Sequence, residues 1–229
     1  MNEDCPTNSN GSDRRPPEGE PVEMRFQDAE RMLLQQVVEQ KDDPRQAMWE
    51  LAQLYKLSGR HEQALTWLRD LMRRLPDVEQ KAQCVFTMGQ SAEKVGDFVA
   101  AVRYYKEALG MEPAHTFTWY FLLNNLGYSL NQLGNFTEGE RYCRKAIEVD
   151  GSRCNAHKNL GLALAGQGLH RQAAECYVTA TMVNGSDPRS LNLLRGLLEQ
   201  HPELAIEFGD ELAACERAVN LAAGLRNAG

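Results

Sequence analysis

Residues 82–113, AQCVFTMGQSAEKVGDFVAAVRYYKEALGMEP, carry the pattern that the rest of the chain repeats. Val85, Met88, Gly89 and Ala92 share one helical run, Gly96 interrupts it, and Phe98, Ala101, Tyr105, Ala108, Leu109 and Pro113 follow on a second. Upstream the same order is Met48, Leu51, Ala52, Tyr55, Gly59, Ala64, Leu68, Leu71, Met72 and Pro76. Downstream it is Leu123, Leu126, Gly127, Leu130, Gly134, Phe136, Gly139, Cys143, Ala146, Ile147 and Gly151. A fourth copy has His157, Leu160, Gly161, Leu164, Gly168, Ala173, Tyr177, Ala180, Thr181 and Gly185.

Close helix packing explains the order. Ala52, Gly89, Gly127 and Gly161 on the first helix, with Ala64, Ala101, Gly139 and Ala173 on the second, let two backbones approach while the large apolar residues fill the space between pairs. Gly59, Gly96, Gly134 and Gly168 suit the left-handed conformation that ends a helix. The reading is a stack of helix-turn-helix units.

These residues resemble the tetratricopeptide repeat family, whose signature is a bulky residue, Leu-Gly, Tyr, Ala, an aromatic and a terminal Pro. The copies starting at Arg45, Ala82 and Tyr120 are 37 and 38 residues apart, whereas those at Tyr120 and Cys154 are 34 apart. Three or four residues are thus inserted before the second and third copies. Gly151 and Gly185 replace the terminal Pro, and Gly139 and Cys143 replace the usual Ala and aromatic of the third copy. The resemblance implies an all-α, right-handed solenoid of antiparallel helix pairs, with four repeats at 45–78, 82–115, 120–153 and 154–187.

Segment by segment, residues 1–21 hold four of the nine prolines, five acidic and two basic residues and no large apolar residue but Met1, so a disordered tail is expected. In 22–44, Phe26, Ala29, Leu33 and Val37 recur at helical spacing before Asp42, Asp43 and Pro44. This reads as an N-terminal capping helix, the alternative being a helix that fills the groove as a built-in ligand. In 188–229 a degenerate fifth repeat keeps Leu191, Leu194 and Leu198 but has Arg195 in the place of the small residue. A long capping helix from Glu203 to Leu225 follows, with Leu204, Phe208, Leu212, Cys215, Val219 and Ala222 on one face.

The chain has 229 residues, 42% hydrophobic and 25% charged, and a net charge of −7. That balance argues against a sequence-independent grip on nucleic acid. Apolar residues fall in helical stripes rather than a membrane-length run, and the N-terminus lacks the apolar centre of a signal peptide, so a cytoplasmic location is expected. The cysteines at 5, 84, 143, 154, 176 and 215 show no paired metal spacing and read as small apolar filler. Histidines 61, 115, 157, 170 and 201 are scattered, no glycine-rich phosphate loop is present, and no serine has a nucleophile-elbow context. Neither catalysis, nor a metal, nor a cofactor is expected.

In the family that this chain resembles, first helices line a concave groove, and the second, fifth, sixth, ninth and twelfth residues of each repeat face it. Those places hold Gln46, Trp49, Glu50, Gln53 and Lys56; Gln83, Phe86, Thr87, Gln90 and Glu93; Phe121, Asn124, Asn125, Tyr128 and Asn131; and Asn155, Lys158, Asn159, Leu162 and Ala165. Arg189 and Asn192 extend the line. The resemblance thus implies an aromatic half of Trp49, Phe86, Phe121 and Tyr128 and a polar half of Asn124, Asn125, Asn155, Lys158, Asn159, Arg189 and Asn192.

An Asn amide both donates and accepts, so a row of them pairs with an extended peptide backbone, and the two cations favour an acidic group. Of the clamp that family members use for chaperone C-termini, only Asn159 and, loosely, Arg189 are in place, so that partner is not assigned. The expected function is a protein–protein interaction adaptor holding a peptide segment or partner helix, its oligomeric state left open. The alternatives are an assembly factor holding an apolar helix of a subunit and a scaffold that self-associates.

Overall fold

The structure is a computed structural model that describes residues 22–40 and 43–227. The tail expected over residues 1–21 lies outside the described residues, as does Cys5. Among the described residues all regular structure is helical: α1(Val22–Glu39), α2(Arg45–Leu57), α3(His61–Met72), α4(Val78–Lys94), α5(Phe98–Gly110) and α6(Thr116–Gln132), then α7(Phe136–Val149), α8(Cys154–Gly166), α9(His170–Val183), α10(Arg189–Gln200), α11(Pro202–Glu207) and α12(Gly209–Asn227).

Helices α2/α3, α4/α5, α6/α7 and α8/α9 pair closely, and each pair packs on the next to make a solenoid. The four turns share one geometry. Gly59, Gly96, Gly134 and Gly168 have φ of +78°, +81°, +76° and +78°, values that side-chain-bearing residues rarely adopt. The amides that follow reach back five residues, Arg60 to Tyr55 O at 2.8 Å and Asp97 to Ala92 O, Asn135 to Leu130 O and Leu169 to Leu164 O at 2.9 Å. Carbonyls that a helix end would leave unpaired are thereby satisfied.

Within each pair a small residue faces a large one. A methyl group at Gly161 would stand 2.5 Å from the buried Tyr177 ring, and Gly89 is closed in the same way by Tyr105. The third repeat solves the problem differently. A methyl at Gly127 would meet Cys143 Sγ at 2.5 Å and Gly139 O at 3.1 Å, while the space over Gly139 is taken by the Asn131 side chain. Gly139, a departure from the pattern in sequence, is what admits Asn131 to the interior, and Cys143 fills the space over Gly127.

The insertions before the second and third repeats are absorbed as helix. α4 and α6 have 17 residues where α2 and α8 have 13, about one extra turn each. Within the added turn of α6, Trp119 donates from Nε1 to Pro113 O at 2.7 Å and packs against Tyr120, Leu123, Ala146 and Ala156. At the N-terminal end, Phe26 and Leu33 of α1 bury themselves against Leu51, Tyr55 and Ala64, and the Arg60 guanidinium lies 3.9 Å from the Phe26 ring centre. At the other end, the single helix expected from Glu203 to Leu225 is divided at Phe208 into α11 and α12. Phe208 is buried there, yet Leu212 N still bonds Phe208 O at 2.9 Å, so the division is a bend in a nearly continuous helix. Cys84, Cys143 and Cys215 are buried, and burial pushes the Cys84 and Cys143 thiols up to about 12.

These contacts separate two glycines of otherwise similar helical setting. Gly161→Ala, which forces Tyr177 aside, is expected to destabilise the protein by about 1–3 kcal/mol. Gly196→Ala on α10 meets nothing within 4 Å and is expected to stabilise it by about 0.5–1 kcal/mol. Thermal or denaturant unfolding followed by circular dichroism distinguishes the two, and a similar cost for both would contradict the packing account.

Candidate functional site: the face of the first helices

Consecutive first helices touch directly, α4 on α6 and α6 on α8, which makes theirs the inner side of the stack. Hydrogen bonds run between them. Lys56 Nζ donates to Gln90 Oε1 at 2.7 Å, Ser129 Oγ to Glu93 Oε1 at 2.7 Å, and Asn131 Nδ2 to Asn159 O at 2.8 Å. Lys56, Glu93 and Asn131 occupy the same place in successive repeats, so each first helix is tied to the next by a polar residue at one register.

Six of the residues expected in the groove, Trp49, Phe121, Asn125, Tyr128, Asn155 and Lys158, are half-buried, and Arg189 and Asn192 are exposed. Three sit deeper: Phe86 is 8%, Asn124 6% and Asn159 4% exposed, which limits what a ligand touches to their edges. The amides of the two Asn are engaged internally. Asn159 Nδ2 donates to Asn124 Oδ1 at 3.0 Å, and Asn124 Nδ2 to Asn125 Oδ1 at 2.9 Å. Phe86 packs between Tyr105 and Phe121, with ring centres 5.9 and 6.5 Å away. Tyr128 meets the edge of Phe98 at 6.0 Å.

The polar half converges. Lys158 Nζ donates to Asn155 Oδ1 at 3.2 Å; Lys158, Asp187 and Arg189 lie near enough to influence one another's charge, and Tyr128 lies near Arg189. Arg189 is committed to Asp187 through Nε at 2.8 Å and a close Nη2 contact, which holds the Asp187 carboxyl below its usual range. Lys158 makes no ion pair among the described residues, and burial followed by the Arg189 charge lowers its pKa. Trp49 stands apart at the N-terminal ends of the first helices, where it lines a cleft with residues of α4 and α6.

Sequence reasoning placed Glu93, Lys56 and Asn131 on this face without singling them out. Glu93 is the most consequential. Burial, only partly offset by the Ser129 bond, raises its pKa from 4.5 to about 7, and the Tyr105 and Asn125 side chains lie close by. Lys56 is likewise lowered by burial. The available signal was the recurrence of a polar residue at one register in three repeats; what the sequence lacks is the depth at which that register sits. Among the described residues no group of three or more His, Cys, Asp or Glu side chains is placed to hold a metal ion.

Comparison with known proteins agrees with this geometry. Three family models, each described as a tetratricopeptide repeat, match residues 25–79, 82–115 and 122–149, together about half of the chain. The first of these spans includes most of α1. Human tetratricopeptide repeat protein 7B is 33% identical over 104 residues, which is 45% of this chain and 12% of that protein. The probable UDP-N-acetylglucosamine–peptide N-acetylglucosaminyltransferase SPINDLY of Hordeum vulgare is 32% identical over 110 residues, again 12% of its length. The chain therefore spans about an eighth of these curated relatives. Among solved structures, BtubC from P. vanneervenii superposes with a TM-score of 0.69 at 19% identity, over 91% of this chain and 93% of that one. The chain belongs to the tetratricopeptide repeat family, whose members are protein-interaction modules.

Glu93 gives this face a pH signature. A carboxyl whose pKa is higher folded than unfolded binds its proton more tightly in the native state, so its contribution to stability is fully present below the unfolded value and is lost as pH rises towards 7. Glu93→Gln keeps an acceptor for Ser129 and removes the ionisation. Near pH 8 the variant is expected to be more stable than the parent by up to about 3 kcal/mol, and near pH 4 the two are expected to coincide. Urea unfolding at both pH values measures this, and a pH-independent difference would contradict it.

Proposed function

We propose that the chain is an adaptor that binds an extended peptide segment or partner helix on the face of its first helices, without catalysis and without a cofactor. One observation carries the reading: Asn124 and Asn159 bond each other between α6 and α8 at 3.0 Å, and Asn125, Asn155 and Lys158 on the same two helices are half-buried. The amides of Asn125 and Asn155 offer both donors and acceptors to a passing backbone. Lys158, partly desolvated and without an ion pair among the described residues, favours a carboxylate, either an acidic side chain or a chain terminus. A cytoplasmic setting belongs to the same reading, supported by the free thiols of Cys84, Cys143, Cys154, Cys176 and Cys215. No helix among the described residues is long and apolar enough to cross a membrane.

A second reading, a scaffold that self-associates through its ends, is favoured by the exposed Ile206, Leu221 and Leu225 on the C-terminal helices, at 87%, 68% and 70%. It predicts a stable oligomer by light scattering that Leu221→Lys, Leu225→Lys dissolves.

The adaptor reading is tested by affinity capture from the source cell with the parent and an Asn125→Ala, Asn155→Ala, Lys158→Glu variant whose helicity is verified. Asn159 is left unchanged, because its replacement breaks the bond to Asn124 rather than the surface. A partner enriched by the parent and lost, by tenfold or more, with the variant is the expected outcome. The same proteins captured equally by both would place binding elsewhere.

A further inference from the structure

The two inserted turns that lengthen α4 and α6 overhang the shorter α2 and enclose a cleft of about 520 Å³ at the N-terminal rim of the first helices. Its apolar part is Trp49, half-buried on α2, together with Leu71 and Leu75 from the end of α3 and the segment after it. Its volume falls in the range of sites that take a side chain with its flanking backbone. None of the residues of the polar half of the groove lines it.

The charge of the walls selects the occupant. Among the described residues, Asp43, Asp77 and Glu79 face the cleft against a single guanidinium, Arg45. Arg45 is bound to Asp43 through Nε at 2.6 Å and Nη2 at 2.7 Å, which neutralises that pair. Asp77 Oδ1 caps α4 by accepting from Gln80 N at 2.9 Å, and Glu79 Oε2 accepts from Ala114 N at 2.7 Å, holding the α5–α6 loop against α4. Each of these carboxylates thus spends one oxygen on the fold. Neither has a cationic partner among the described residues.

We infer that this cleft is a second binding site, separate from the polar half of the groove, and that it takes a lysine or arginine side chain of a partner segment. The methylene stem lies along Leu71 and Leu75, the cationic head reaches the free oxygens of Asp77 and Glu79, and the Trp49 ring adds attraction through its π face. An acidic or purely apolar occupant would leave those carboxylates desolvated without compensation. The inserted residues, which contribute nothing to the repeat pattern, acquire a purpose as the walls of this site.

The test is a titration followed by ¹⁵N–¹H correlation spectra with three capped dipeptides, acetyl-Leu-Arg-amide, acetyl-Leu-Gln-amide and acetyl-Leu-Glu-amide, at equal ionic strength. The arginine probe is expected to shift the Trp49 indole signal and the backbone amides of Gln46, Gln80 and Gln83, and to bind about fivefold or more tighter than the glutamine probe. The glutamate probe is expected to bind weakest. An Asp77→Asn, Glu79→Gln variant keeps the helix cap and the acceptor for Ala114, so it preserves the fold while removing the charge. In it the preference for arginine is expected to vanish; Trp49→Leu is expected to weaken all probes. Equal shifts from the three probes, shifts confined to α8 and α10, or an arginine preference that survives in the double variant would each overturn the proposal. None of these outcomes bears on the groove reading, which rests on other residues.

Discussion

Hydrogen bonds from one inner helix to the next are the constraint on which the rest of the molecule depends. A buried polar side chain costs far more unpaired than it gains when paired, so each such group fixes the register of the two helices it joins. Lys56 to Gln90, Ser129 to Glu93 and Asn131 to the Asn159 carbonyl do this at successive joints. The third of them reaches furthest into the packing. Asn131 enters the interior only because residue 139 is glycine, and over Gly127 the Cys143 thiol stands where the second and fourth repeats place a tyrosine ring. Contacts within a repeat and contacts between repeats are therefore not independent.

The same bonds prepare the surface a partner would meet. Asn159, Asn124 and Asn125 are linked by side-chain hydrogen bonds, so these amides of the polar half are held by one another before a partner arrives. Preorganisation of this kind lowers the ordering cost of binding. It also leaves charges in poor solvent: Lys158 and Lys56 are lowered by burial and Glu93 is raised by it. Structural stability alone would favour apolar residues at such places. A ligand that supplies the missing counter-charge recovers part of that cost.

The architecture was legible because it rests on local chemistry repeated four times. Glycine at 59, 96, 134 and 168 announces a left-handed turn, and the pairing of Gly89 with Tyr105 or Gly161 with Tyr177 announces a close crossing. The direction in which a side chain points follows from the same register, which is why Asn125, Asn155 and Lys158 are expected on the inner face, where they are half-buried. Depth does not follow. Phe86, Asn124 and Asn159 were read as surface groups, yet the neighbouring repeat covers them, and that covering depends on helix-to-helix distance rather than on any residue in the local sequence. The bend at Phe208 escaped for a related reason, since the apolar stripe from Leu204 to Val219 runs through it unbroken and the backbone hydrogen bonds continue across it.

The proposed adaptor reading makes the inner face of this helical stack the recognising surface. Hydrogen–deuterium exchange of the chain, alone and saturated with a partner identified by capture, tests that claim most directly. Slowed exchange concentrated in α6, α8 and α10, with α5, α7 and α9 unchanged, is the predicted result. Protection confined to the second helices would contradict it.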